Sequence, residues 1–313
     1  MAEKTEMAEM QKRVREIAGE KDFFILAHNY QYPEVQDVAD FVGDSLVMAQ
    51  KAVEAPNMNI LVCGVWFMAE TAAILNPDKR VFSPEPDSRC PMARMVDVAT
   101  IRALKERNPG APVVAYVNTT AEVKAESDVC CTSANAVDVV RSLDAGKVIF
   151  VPDVNLGLYV QKMVPEKEVI LPAGYCPTHQ GITREQIMAL KEQHPDAEVL
   201  VHPECTPDVI DLADGVYSTQ GMLLHARNSS AKEFIVGTEK EHAYRLKKAL
   251  PEKEFYAIPT AVCPNMKKIT LEKVLRALEK EVYEVKVPED VAKRARRALE
   301  RMLEIGRGEK NGR

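Results

Sequence analysis

Three Cys-Pro dipeptides, Cys90-Pro91, Cys176-Pro177 and Cys263-Pro264, divide the sequence at intervals of 86 (176 − 90) and 87 (263 − 176) residues. Seven Cys and 19 Pro strewn at random over 313 residues would form fewer than one such pair. One dipeptide per equal third implies three copies of one unit, each giving one thiolate to a shared centre. Other residues test the repeat without the cysteines. His28, Tyr116 and His202 each close an apolar run, at intervals of 88 (116 − 28) and 86 (202 − 116). Seventeen residues after each lies a hydroxyl, Ser45, Ser133 or Thr219, where a helical pattern begins and an N-cap belongs. A period this long denotes a duplicated domain rather than a solenoid.

Within each third, short apolar runs alternate with helical patterns. The runs are 23–27, 59–65 and 80–82 in the first, and 112–117, 128–131, 147–151 and 169–171 in the second. In the third they are 198–201, 215–217, 233–236 and 254–258. Continuous apolar strands alternating with helices predict the α/β class, with parallel sheets covered on both faces. The expected boundaries are 1–98 for the first repeat with an N-terminal helix over 5–19, 99–183 for the second and 184–270 for the third. A tail over 271–313 reads as two charged amphipathic helices parted near Val287-Pro288. In such domains ligands bind at the carboxyl ends of strands, where helix N-termini supply N–H donors for anions. Three domains facing one another would bring the marker residues to one central cleft.

Composition narrows the partners. The net charge of −6, with Lys and Arg spread along the chain, argues against a nucleic-acid or anionic-membrane surface. The N-terminus is polar and lacks the apolar core of a signal peptide. No stretch approaches the roughly 18 apolar residues that span a bilayer. A cytoplasmic location, with reduced thiols, is therefore expected. An odd number of cysteines also speaks against a complete disulfide framework.

Cys63, Cys130, Cys131 and Cys205 read as small buried hydrophobes. The Cys-Pro trio reads as metal ligands, although no zinc or ferredoxin spacing is present. Two occupants remain open. Three thiolates would leave one iron of a [4Fe–4S] cluster open, a Lewis acid able to hold a substrate hydroxyl or carboxylate. A zinc ion would need a fourth ligand, for which His179, three residues after Cys176, is the candidate. Trp66-Phe67-Met68-Ala69 reads as packing, Lys267-Lys268 as surface, and His194, His225 and His242 as ordinary histidines. A non-catalytic α/β small-molecule binding protein fits the same pattern, since fold does not fix function.

The ordered motifs resemble one family, quinolinate synthase. They begin with Ala27-His28-Asn29-Tyr30-Gln31, Val35-Gln36-Asp37, Gly43-Asp44-Ser45, Phe67-Met68-Ala69-Glu70-Thr71-Ala72 and Cys90-Pro91-Met92-Ala93. Tyr116-Val117-Asn118, Ser127-Asp128-Val129-Cys130-Cys131-Thr132-Ser133 and Pro152-Asp153-Val154-Asn155-Leu156-Gly157 follow. Gly174-Tyr175-Cys176-Pro177-Thr178-His179, His202-Pro203-Glu204-Cys205 and Cys263-Pro264-Asn265-Met266-Lys267-Lys268-Ile269-Thr270 complete the set. The likeness runs from about Ala27 to Glu272.

The resemblance implies three αβα sandwich domains about a pseudo-threefold axis, with a [4Fe–4S] cluster on Cys90, Cys176 and Cys263. It implies condensation of iminoaspartate, supplied by an enzyme that produces it, with dihydroxyacetone phosphate to give quinolinate, phosphate and water. Another iron–sulfur hydro-lyase is the alternative enzyme. His28, Ser45, Tyr116, Asn118, Ser133, His202, Glu204 and Thr219 match substrate contacts of the family. Tyr30 and His179 match further active-site positions. Glu204, with His202 beside it, is the expected proton shuttle. Tyr30 and Tyr116 are its candidate partners, and His28 helps orient substrate. Arg89 and Arg94 depart from the family pattern around the first Cys-Pro and alter the local charge there.

Overall fold

The computed structural model describes residues 2–308. The α/β class is as expected: twelve strands form three four-stranded sheets, every named pair parallel. The strands are β1 (Phe23–His28), β2 (Phe41–Gly43), β3 (Asn59–Cys63) and β4 (Arg80–Phe82). Then come β5 (Val113–Tyr116), β6 (Val129–Cys131), β7 (Lys147–Val151) and β8 (Glu168–Ile170). Last are β9 (Glu198–Val201), β10 (Gly215–Val216), β11 (Glu233–Gly237) and β12 (Glu254–Ala257). The orders are β2-β1-β3-β4, β6-β5-β7-β8 and β10-β9-β11-β12, one permutation used three times.

One expectation needs correction. The first third holds a fourth strand, β2, where the sequence reading placed none. Phe41-Val42 is a two-residue apolar stretch that ends on Gly43, and Leu26 to His28 pair with Phe41 to Gly43.

The chain forms two compact units, one of residues up to Cys90 with Cys263–Glu289, the other of Pro91–Val262 with residues from Asp290 on. In the first unit, alternate strand residues point to opposite faces. Ile25, Ala27, Leu61 and Cys63 pack with Val14 and Ile17 of the helix Ala2–Glu20 and with Val274 and Leu278 of the helix Leu271–Lys280. The helices Ser45–Glu54 and Trp66–Leu75 pack together and against β1 to β4.

The second unit holds the other two sheets. One face of the third sheet joins Val199, Val201 and Ile235 to Ile187 and Val209; the other joins Leu200, Phe234 and Val236 to Met222, Leu246 and Leu250. The helix Glu289–Gly308 buries Ala295, Ala298, Leu299 and Met302. Its Arg294 pairs with Glu126 at 3.0 Å, and Asn135 Nδ2 donates to the Met302 carbonyl at 3.4 Å.

Two devices recur in all three copies. Asp40, Asp128 and Asp214 each accept, at 2.8 Å, the backbone N–H of a residue fifteen positions earlier. Each returns its own N–H to that residue's carbonyl, at 2.9, 3.0 and 2.9 Å. This cyclic pair fixes the register in which β2, β6 and β10 join their sheets. Lys79, Lys167 and Lys253 each place an ammonium on the final carbonyls of the preceding helix but one: Ala55 at 2.6 Å, Val140 at 2.9 Å and Ser229 at 2.6 Å. A cation there satisfies orphan carbonyls and complements the helix dipole. Among the described residues no helix is long and apolar enough to cross a membrane.

Candidate active site

The functional groups of the second unit sit at carboxyl ends of strands or on the turns that follow, as parallel sheets require. Tyr116 ends β5, and His202 follows β9 with its N–H on the Gly237 carbonyl at 3.0 Å. Two residues on, the Glu204 N–H donates to His202 Nδ1 at 3.3 Å. That bond leaves Nε2 to carry the ring proton in the neutral tautomer, and Nε2 faces Ser133 Oγ at 3.1 Å. Cys176 is the N-cap residue of the short helix Pro177–Gln180, whose single turn turns His179 inward.

These elements build one buried cluster. Glu204 is 3% exposed, with a donor on each carboxylate oxygen. The Tyr116 hydroxyl donates to Oε1 at 2.5 Å, and His179 Nδ1 lies 2.6 Å from Oε2. The same Nδ1 is 3.2 Å from Cys176 Sγ, and Nε2 is 2.8 Å from Thr238 Oγ1. The His179 and His202 rings stack at 4.6 Å. Burial alone would raise the Glu204 carboxyl. The charges of His179 and His202 and the bonds from His179 and Tyr116 outweigh it and bring it down to about 2.

Asp153 has the opposite fate. It caps the helix Val154–Met163, Oδ1 accepting the Leu156 N–H at 2.9 Å, while Oδ2 finds no partner among the described residues. Burial, then the negative charge of Glu204, push its carboxyl well above the ordinary range. Two buried carboxyls are thus pushed in opposite directions, Glu204 down by its histidine and tyrosine partners and Asp153 up by burial and the charge of Glu204. Asn155 ties the cluster's loops together: its Nδ2 donates to Gln180 Oε1 at 2.9 Å and to the Glu204 carbonyl at 3.2 Å.

The predicted residues fall into three groups. Tyr116, Ser133, Cys176, His179, His202 and Glu204 meet in this cluster. Asn118 presents a buried Oδ1 without a partner among the described residues, and Thr219 opens the helix Thr219–Asn228. His28, Tyr30, Ser45, Cys90 and Cys263 belong to the first unit. There the Tyr30 N–H donates to His28 Nδ1 at 3.2 Å and the rings meet edge to face, the same turn that joins Glu204 to His202.

The capping expectation is corrected. None of the three hydroxyls is the N-cap: Asp44 and Ser218 cap the helices that Ser45 and Thr219 begin, and Ser133 precedes the N-cap residue Asn135 by two. Lys267, read as surface, instead donates to the Tyr30 carbonyl at 2.6 Å and lies over the Tyr32 ring. Asp153, Asn155 and Thr238 had been given no role. Thr238 follows the third strand of its sheet where Gly64 and Pro152 follow theirs, so no repeated residue type marks the place.

The seven thiols, none in a disulfide, separate by environment. Cys63, Cys130, Cys131 and Cys205 are fully buried, and burial raises each, Cys130 to about 12. Cys90, Cys176 and Cys263 are half-buried, each on the turn that follows the last strand of its sheet and directly before a Pro that leads into a short helical turn. Thiolates that ligate metal need such a setting rather than an apolar one. Cys176, His179 and Glu204 also offer sulfur, nitrogen and oxygen within 4.8 Å of one another. In the first unit, Arg89 holds its guanidinium over the Trp66 ring.

Comparison with known proteins gives a consistent picture. The model of the family described as "Quinolinate synthetase A protein" matches residues 12–304. Quinolinate synthase 1 of Methanosarcina acetivorans is 54% identical over 301 residues, covering 96% of this chain and 99% of that protein. Quinolinate synthase of Thermodesulfovibrio yellowstonii is 55% identical over 287 residues (91% and 95%), and that of Aquifex aeolicus 52% identical over 309 (96% of each). With a match of this extent and the strand-end cluster inside it, the chain belongs to the quinolinate synthetase A protein family.

Proposed function

We propose that this enzyme is a quinolinate synthase, joining iminoaspartate and dihydroxyacetone phosphate into quinolinate with loss of phosphate and two molecules of water. The observation that carries the reading is the buried Tyr116–Glu204–His179 chain beside Cys176, within a span shared with relatives of that name. Cys90, Cys176 and Cys263 fit a [4Fe–4S] cluster by donor chemistry: three half-buried thiols at one address in each copy. When bound, such a cluster with one open iron supplies a Lewis acid for a substrate hydroxyl or carboxylate.

The chain's own residues handle protons and orientation. The condensation must take protons from carbon and deliver them to departing oxygens. Glu204 lies between a phenol and an imidazole, so a proton lost or gained at either end is relayed through one carboxylate. The ionised Glu204 stabilises the imidazolium that His179 or His202 becomes on taking a proton. Ser133, placed by His202, and the unpaired Asn118 Oδ1 are suited to substrate hydroxyl and imine N–H groups. His28, Tyr30, Ser45 and Thr219 serve substrate binding in the same reading, and Tyr30 and His28 add a second acid–base pair.

The three repeats and tail follow the boundaries 1–98, 99–183, 184–270 and 271–313. The test is anaerobic purification, iron and sulfide analysis, and a quinolinate assay with both substrates. A brown protein that bleaches in air and forms quinolinate is expected. A colourless, iron-free protein without that activity refutes the reading and favours a small-molecule binding protein.

A further inference from the structure

His179 is engaged at both ring nitrogens. On one side Nδ1 meets the Glu204 carboxylate at 2.6 Å; on the other Nε2 meets Thr238 Oγ1 at 2.8 Å. Thr238 is fully buried at the carboxyl end of β11, where the preceding Gly237 carbonyl also receives the His202 N–H. Thr238 thus sits at the end of the strand that pairs with the one carrying His202.

The ring is therefore held from opposite sides by two buried partners, a carboxylate at Nδ1 and a hydroxyl at Nε2. A hydroxyl both donates and accepts, so it meets Nε2 in either tautomer. Outer partners of this kind fix the ring angle and tautomer of a functional histidine.

We propose that Thr238 is a positioning residue for His179, holding the imidazole at the angle that faces Glu204. The assignment rests on the quinolinate synthase reading above. The test compares Thr238→Val, which keeps the shape and removes the hydroxyl, with Thr238→Ser, which keeps the hydroxyl.

In the intact iron-loaded enzyme, Thr238→Val should lower kcat roughly tenfold, the scale for losing an outer partner. KM should stay within about twofold and iron content should not change. Thr238→Ser should recover turnover to within about threefold of wild type. Crystal structures of the two variants supply a readout apart from activity: the His179 ring should turn away from Glu204 in Thr238→Val and stay in Thr238→Ser. Wild-type kcat in Thr238→Val, a Thr238→Ser variant no better than Thr238→Val, or an unmoved ring in Thr238→Val each overturns the proposal. A wild-type enzyme that forms no quinolinate would instead remove the functional reading and leave the crystallographic comparison to judge Thr238.

Discussion

Replacing Glu204 by Gln tests the centre of the site. The carboxylate is fully buried, yet its partners hold it at about 2 against an ordinary 4.5. At 1.36 kcal/mol per unit, the cluster favours the ionised form by about 3 kcal/mol. Gln carries no charge and forfeits that preference. Its amide must also present NH2 either to Tyr116 Oη or to His179 Nδ1, groups that now both donate, so one must reverse its proton. The uncharged side chain escapes the cost of burying a charge, which offsets much of the loss to stability. Fold and iron content should therefore survive. Turnover should fall by about 10²-fold or more, the scale of general acid–base catalysis and about 3 kcal/mol of barrier. The assay is quinolinate by chromatography, with iminoaspartate generated in place from oxaloacetate and ammonia. A substrate analogue should bind at least as tightly, because a negative charge has left an anion site. Turnover within a few-fold of wild type refutes the relay, and loss of iron would show Glu204 to be structural.

Three further outcomes are expected. Cys90→Ala, Cys176→Ala and Cys263→Ala should each lose iron and sulfide on analysis, whereas Cys63→Ala and Cys205→Ala keep both; wild-type iron in any of the first three removes that residue from the ligand set. Lys253→Met should lower unfolding free energy in denaturant by about 2 kcal/mol, because the 4% exposed ammonium leaves helix-end carbonyls unpaired; an unchanged midpoint would count against the helix-cap device. Glu126 is lowered by its bond from Arg102 and, against burial, by Arg294, so its contribution is present above pH 4.5 and lost as pH falls through its folded value. The Tm gap between wild type and Glu126→Gln, about 1 kcal/mol or less in stability, should therefore exist at pH 7 and close under acid; a gap that widens under acid contradicts the sign.

Much of this was legible in the sequence, for identifiable reasons. The repeat could be read because cysteine and proline are scarce enough for three coincidences to stand out, and because strand ends have fixed addresses in parallel sheets. Even short strands such as β4 and β10 were readable as runs at their place in the repeat; β2 was not, since its place is fixed by Asp40 reaching back to Ile25. The capping assignment missed by one residue at Ser45 and Thr219 because Asp44 and Ser218 are equally good caps, and only geometry separates neighbours. Asn155 and Thr238 act through contacts 49 and 59 residues distant in sequence. No local pattern encodes such partners, and Thr238 has glycine and proline at its counterparts. Lys267 was misread because a Lys-Lys pair ordinarily faces water.

The three copies differ in an instructive way. The parts that build each sheet recur by residue type: Asp40, Asp128 and Asp214 set the register, and Lys79, Lys167 and Lys253 close a helix. The hydroxyls and the Cys-Pro turns recur too. The positions two residues past the strand-end markers do not, for they hold Tyr30, Asn118 and Glu204. The turn geometry there is the same at Tyr30 and Glu204, each returning its N–H to the histidine before it. One backbone address thus presents a phenol in one copy and a carboxylate in another. On the proposed function, a cluster of equivalent thiolates calls for like ligands from each copy. Proton transfer on a substrate with distinct ends calls for unlike groups, and under that proposal the divergence at this position, on a scaffold held constant, is where a duplicated domain acquires a direction.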